Sequence, residues 1–403
     1  MRMAGTSRTV AVALLLSASV EAAAPEFVEN GKAGFVVTGI RYALGDDAAN
    51  TGACPRGMSL NVAEIYALTP EGKRRKGESD ELYGKRLETG ARAHSVAPNG
   101  QNVCVNPEAA APEPNYRSLN AADVVADGID LDGVDSNASQ PAAGGMCAHQ
   151  DFVGRNGRRG VDNQFFRVVG CNRSFQSTGQ SNGFGVGMLT GSWGILITLE
   201  GVDDVRNDDS VEVGFVSNAD PIQLSPTREP LAYATYAMHQ DRRYRTKMHG
   251  RIKDGVLTTD PADVRFYTEV NSLFNDRPLK RARLQLTLSE TGVLEGYLAG
   301  YESVEAVYDM QFGFRSARNS AGEPGPLPLR MHTANGAARV LGYTCQGAYQ
   351  SLYEHADADL DPQTGRCTSI SIQYHIKAIP AFVVDVETKS ANDKLIQASG
   401  DGK

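Results

Sequence analysis

Arg281-Ala282-Arg283-Leu284-Gln285-Leu286-Thr287-Leu288 alternates polar and apolar residues without a break. Side chains of an extended chain point alternately to opposite faces, so the pattern specifies a strand with one face buried and one in water. Ser369-Ile370-Ser371-Ile372-Gln373-Tyr374-His375-Ile376-Lys377 repeats it. Working outward, further strands are expected at Trp193–Leu199, Val211–Val216, Leu231–Met238, Arg243–Lys253, Val264–Val270 and Val304–Phe314, separated by Gly, Asp, Asn and Pro clusters. Asp254-Gly255 falls between two such runs and reads as a hairpin turn, because both residues tolerate positive φ. Helical periodicity is nearly absent after residue 120. The fold class predicted is mainly β: an antiparallel sandwich or jelly-roll-like large domain with a smaller disulfide-linked N-terminal region.

The chain of 403 residues is longer than one small core usually organises. The expected division is a signal peptide at 1–22, a disulfide-braced region at 23–105, a Pro/Ala-rich linker at 106–120, a β-rich main domain at 121–395 and a tail at 396–403. The linker rests on the spaced prolines of Asn106-Pro107-Glu108-Ala109-Ala110-Ala111-Pro112-Glu113-Pro114. Residues 71–100 are strongly charged and read as a solvated excursion with at most one short helix.

Arg2 and Arg8 precede the short apolar run Val10–Leu16 as a positive n-region, the pattern of a Sec-type signal peptide, with cleavage expected after Ala22. Later in the chain no run reaches the roughly 18 apolar residues of a membrane span. The expected location is periplasmic or extracellular. The net charge is −8 for the whole chain and −9 once Arg2, Arg8 and Glu21 are removed. That balance disfavours nucleic acid as a partner, since phosphate neutralisation needs a basic surface. Cys54, Cys104, Cys147, Cys171, Cys345 and Cys367 form no C-x-x-C pair, so an even set in an oxidising compartment reads as three disulfides. Sequential pairing, Cys54–Cys104, Cys147–Cys171 and Cys345–Cys367, is the expectation.

Two acidic loops are candidate Ca²⁺ sites. Asp127, Asp130, Asp132 and Asp135 lie in one glycine-containing loop, and Asp357, Asp359 and Asp361 follow the i, i+2, i+4 spacing that aims carboxylates at one ion. Neither fits the EF-hand template. The stretch Asp151 to Asn163 is a further source of oxygens for the first site.

Arg243, Arg245, Lys247, His249, Arg251 and Lys253 occupy every odd position of one expected strand, which projects all six cations onto one face. On an acidic protein this suggests a surface for an anionic polysaccharide, its Arg forks gripping carboxylates. The bland reading is a basic strand kept so against edge pairing, or paired with acids next door. Catalytic signals are weak. Gly179-Gln180-Ser181-Asn182-Gly183 matches G-x-S-x-G without the strand and helix that a nucleophile elbow needs. His239, Asp241 and His249 supply base and orienting groups in one segment. The expected function is an exported, disulfide- and calcium-stabilised β protein with a surface or ligand-binding role, possible ligands being anionic glycans. The rival is a carbohydrate-active enzyme, most plausibly a polysaccharide lyase in which His249 or a Tyr removes a proton.

Overall fold

A computed structural model of the protein describes residues 26–48, 52–120, 124–136, 147–179 and 184–386. The expected signal peptide, its cleavage point, residues 180–183 of the G-x-S-x-G match and the expected tail lie outside the described residues. Strands are β1 (Lys32–Tyr42), β2 (Val125–Ala126), β3 (Val153–Gly154), β4 (Ile195–Glu200), β5 (Asn207–Ser217), β6 (Ala234–Ala237), β7 (Arg245–Lys253), β8 (Val256–Thr259), β9 (Ala262–Val270), β10 (Leu273–Leu288), β11 (Leu294–Ser303), β12 (Ala358–Asp361) and β13 (Arg366–Val384). Helices are α1 (Val62–Leu68), α2 (Asp80–His94), α3 (Gln164–Val169), α4 (Val186–Leu189), α5 (Val304–Tyr308), α6 (Leu327–Leu341) and α7 (Cys345–Glu354). The protein is mainly β.

The alternation at 281–288 does what it predicts: Leu284, Leu286 and Leu288 are buried while Arg281, Arg283, Gln285 and Thr287 face outward. Their strand, β10, belongs to a sheet whose pairings close on themselves. β1 pairs β4, β4 pairs β5, and the order continues through β7, β8, β10, β11 and β13 back to β1, antiparallel throughout. The expected sandwich or jelly roll is therefore replaced by a closed ring of strands, which leaves no free edge in the ring. Inside it pack Phe35, Ile197, Phe215, Leu286, Leu298 and Ile376, each at most 1% exposed. The irregularity between Lys280 and Arg283, with Arg281 at φ +47°, lets the first half of β10 leave the ring and pair with β9. Asp254 (φ +51°) and Gly255 (φ +76°) close the β7–β8 hairpin as their residue types require.

Several expectations change. Val304–Phe314 is α5 and a π turn rather than a strand; Val304, Val307 and Tyr308 are buried at i, i+3, i+4, and Ser303 caps the helix by accepting from the Ala306 N–H at 3.2 Å. Helices α6 and α7 lie in the stretch read as free of helical periodicity. α6 starts at a Pro-containing turn and ends at Gly342, held at φ +82°, where a left-handed cap favours glycine. The charged stretch 71–100 forms α2, fifteen residues long, which buries only Ala91. β1 of the N-terminal region lies between β4 and β13, so a boundary at residue 105 does not separate that strand from the sheet.

All six cysteines are bonded, but not to sequence neighbours. The pairs are Cys54–Cys171, Cys104–Cys345 and Cys147–Cys367, with Cα–Cα distances of 5.9, 4.9 and 5.7 Å. Pairing follows distance in space, and ring closure brings the N-terminal segment against residues from the far end of the chain.

Candidate metal centre

The loop after β2 lies against the outer face of β13. Ile129 and Leu131 turn inward onto Ala299, Tyr301 and Ala358, so the alternate residues Asp130 and Asp132 face outward together. Gln373 of β13 pins this arrangement. Its Oε1 accepts from the Ile129 N–H at 2.7 Å, and its Nε2 donates to the Ile129 carbonyl at 2.7 Å and to the Asp162 carbonyl. Gly128 passes over this amide at φ +149°, where a Cβ would lie 2.5 Å from Gln373 Oε1, so a larger residue would have to push the clamping amide aside. Asp162 arrives from the opposite side, after the bridge between Phe152 and Val161, and its carboxylate accepts from the Leu131 N–H at 2.6 Å.

Asp130, Asp132 and Asp162 consequently place carboxylate oxygens within 4.8 Å of one another. Two oxygens bound to one Ca²⁺ at about 2.4 Å each can be no more than about 4.8 Å apart, so the three carboxylates are close enough to reach one ion. Asp162 is only 4% exposed. Burial raises its carboxyl to about 9, against the Leu131 hydrogen bond and with the help of the nearby Asp132, Asp151 and Asp357. Asp151 is also raised, first by burial, and Asp357 is pushed up to about 7 by burial despite its bonds from Ser371. Carboxyls crowded beyond what hydrogen bonds relieve are the electrostatic setting in which a divalent cation stabilises a fold. The donor set is all oxygen, which suits Ca²⁺ rather than a softer metal.

The other expected ligands go elsewhere. Asp127 pairs with Arg155 at 2.5 Å, and the same guanidinium holds Asp46 at 2.6 Å; Asp135 pairs with Arg159 at 2.5 Å. In the second loop Asp357 accepts from the Ser371 N–H at 2.7 Å, while Asp359 pairs with Arg281 at 2.8 Å and Lys280 at 3.0 Å. Asp361 closes its own turn by accepting from Gln363 N–H and Thr364 Oγ1, both at 2.8 Å. Three carboxylates with the right spacing thus turn to three different partners and do not converge.

The extended basic stretch begins two residues later than the sequence suggests. Arg243 sits in a 3₁₀ turn, Arg242–Tyr244, and pairs with Asp241 at 2.7 Å. From Arg245 the chain is extended, with Met248, Gly250 and Ile252 buried and Lys247, His249, Arg251 and Lys253 exposed. Arg245 grips Asp385 through two bonds of 2.9 Å, Lys247 pairs with Glu212, and His249 Nδ1 lies 3.0 Å from Asp260. His239 is 1% exposed and its ring packs on Tyr244, whereas His249 is on the outer surface, so the two histidines do not form one site. Gln373 is the contributor that sequence reading missed; a Gln within an alternating strand gives no local sign that it clamps a loop 244 positions away. Comparison with protein-family models, with curated proteins and with solved structures finds no match.

Proposed function

We propose that the protein is an exported, disulfide-braced binding protein in which a calcium ion, held by Asp130, Asp132 and Asp162, locks the loop after β2 onto the strand ring. Three disulfides support an oxidising location. No helix among the described residues is long and apolar enough to cross a membrane. The observation that carries the metal is the convergence of three carboxylates within 4.8 Å around a buried member. Ca²⁺ takes about 6–8 oxygens, of which three carboxylates supply three to six and water the remainder. Bound there, the ion neutralises charge that Asp162 otherwise avoids by keeping its proton.

The test is thermal unfolding with chelator and with added Ca²⁺. Asp162 and Asp357 have folded pKa values, about 9 and about 7, above the ordinary carboxylate value. The contribution of these two groups to the stability of the metal-free protein is therefore fully present below about pH 4 and is lost as pH rises through 7 and towards 9. Calcium binding must displace the Asp162 proton, so its effect grows as pH rises towards 9. At pH 8, saturation at about 100 times Kd contributes about 2.7 kcal/mol, a rise of roughly 3 °C or more in Tm. At pH 5 the rise is smaller. Asp162→Asn is expected to abolish the response and to leave the metal-free protein at least as stable at pH 8. A wild-type Tm indifferent to Ca²⁺ at pH 8 removes the metal.

An anionic polysaccharide remains the ligand proposal for the outer face, and one register observation favours it. Arg251, Thr258, Gln285, Tyr297, His375 and Arg41 stand in line across β7, β8, β10, β11, β13 and β1. All six side chains point outward and are at least partly exposed. At ~4.8 Å per strand the row spans about 24 Å, with a guanidinium at each end and hydrogen-bonding groups between. Retention on immobilised polyuronate is expected to fall at least about fivefold in Arg41→Ser/Arg251→Ser and to weaken with salt. Unchanged retention in that variant discards the glycan.

A further inference from the structure

Helix α2 is amphipathic in name only: of its fifteen residues Ala91 alone is buried, yet the chain beyond its C-terminal end is tied to the body by a disulfide. Ser79 caps its first turn, and the loop after it runs to Cys104, which is bonded to Cys345 at the start of α7. Between α2 and α6 this leaves a hollow of about 620 Å³, within the ~300–1,000 Å³ of small-molecule sites. Its walls are Ala91, Val103, Met331, Ala338 and the Cys104–Cys345 bridge. Gly336 lies on the α6 side, and a Cβ built there meets nothing within 4 Å, so this part of the helix faces open space rather than packed core.

The mouth is polar in one particular way. Arg92 and Arg339, from the two facing helices, share one carboxylate, Glu88, at 2.7 and 3.8 Å. Two guanidiniums on one carboxylate leave a net positive charge at the rim of an apolar hollow. A smaller hollow of about 220 Å³ shares Val62 and Val103 as a wall with the first. Gln346 lines it, only 9% exposed, and its Oε1 has no hydrogen-bond partner among the described residues. A buried acceptor without a donor is costly, which is what a ligand hydroxyl or a bound water would relieve.

We propose that the α2–α6 groove binds an amphipathic molecule with an unbranched apolar chain and a terminal carboxylate. The chain lies on Ala91, Val103, Met331 and Ala338, and the carboxylate joins Glu88 as a second partner of Arg92 and Arg339. Charge complementarity selects the acid over the matching alcohol, and an Arg fork suits a planar carboxylate. The groove stands apart from Asp130, Asp132 and Asp162, so this site does not depend on calcium.

The experiment is titration of the full chain with a fluorescent long-chain fatty acid, with hexadecanoic acid and hexadecanol as competitors. Saturable binding is expected, and the alcohol should compete at least about tenfold less well, the factor corresponding to about 1.4 kcal/mol. Gly336→Trp fills the hollow from a position with free space and should weaken binding more than tenfold. Gly336→Ala, which adds one methyl in an exposed helix, should keep binding and leave Tm unchanged or higher. Arg92→Ser/Arg339→Ser should bring acid and alcohol to equal affinity. Partitioning without saturation, or wild-type affinity in a folded Gly336→Trp variant, overturns the proposal.

Discussion

Replacing Cys104 and Cys345 together with alanine is expected to lower the free energy of unfolding by about 4 kcal/mol, read as a fall in the denaturant midpoint. A crosslink acts mainly by restricting the unfolded chain, and the restriction grows with the loop it closes. The two cysteines are separated by 241 positions. That figure overstates the loop, because Cys147–Cys367 remains bonded and offers a shorter path. Running from 104 to 147, across that bond, and back from 367 to 345 closes only about 65 residues, for which the chain-entropy treatment gives about 4 kcal/mol. Both cysteines are buried, at 2% and 1% exposure, so the substitution also trims packing beneath the α2–α6 groove. The denaturant slope should rise, since the freed chain exposes more surface on unfolding. A loss below about 1 kcal/mol would mean that the unfolded chain is held compact by something other than this bond.

The same bond shows where sequence reading stops. Alternation at 281–288 and 369–377 fixes two long strands, and Asp254-Gly255 fixes a turn, because each depends on neighbours within a few residues. Closure of the ring depends on β1 meeting β13, whose partners Tyr42 and Tyr374 lie at opposite ends of the chain. No local pattern carries that pairing. Disulfide connectivity follows from closure, which is why sequential pairing was the natural expectation and did not match. Val304–Phe314 shows a different failure: its apolar residues at i, i+3 and i+4 are a helical signal submerged in a β context.

The candidate metal centre divides in the same manner. Asp130 and Asp132 are legible because two residues of extended chain put their side chains on one side. Asp162 was legible only as a source of oxygens from the neighbouring stretch, and Gln373 was not legible at all. Spacing alone misleads at Asp357, Asp359 and Asp361, where Asp359 has φ +55° and turns to Arg281 and Lys280. Burial pushes Asp357 up, whereas the two cations hold Asp359 well below the usual range against its own partial burial. Identical residue types two positions apart therefore end in opposite electrostatic states, which only their tertiary partners determine.

Glu302→Gln is expected to stabilise the protein, by roughly 3–5 kcal/mol at pH 8 and by almost nothing at pH 4. Glu302 is the penultimate residue of β11, opposite Ile370, and is 1% exposed. Burial raises its carboxyl to about 8, and neither the Arg277 guanidinium nor the Tyr374 hydroxyl offsets that rise. Neither carboxylate oxygen has a well-formed hydrogen bond among the described residues. Arg277 is already engaged. It donates to Thr268 Oγ1 and Tyr374 Oη, both at 3.1 Å, and lies 4.6 Å from the Phe184 ring centre. The sign follows from the raised value: stability is intact below pH 4.5 and is lost progressively up to about pH 8 as the unfolded chain, but not the folded one, releases the proton. Glutamine keeps the shape of the protonated acid and cannot ionise, so the mutant lacks this loss. The contrary result, destabilisation by several kcal/mol at pH 8, would mean that Glu302 is ionised in the fold and is the partner that makes a buried Arg277 tolerable.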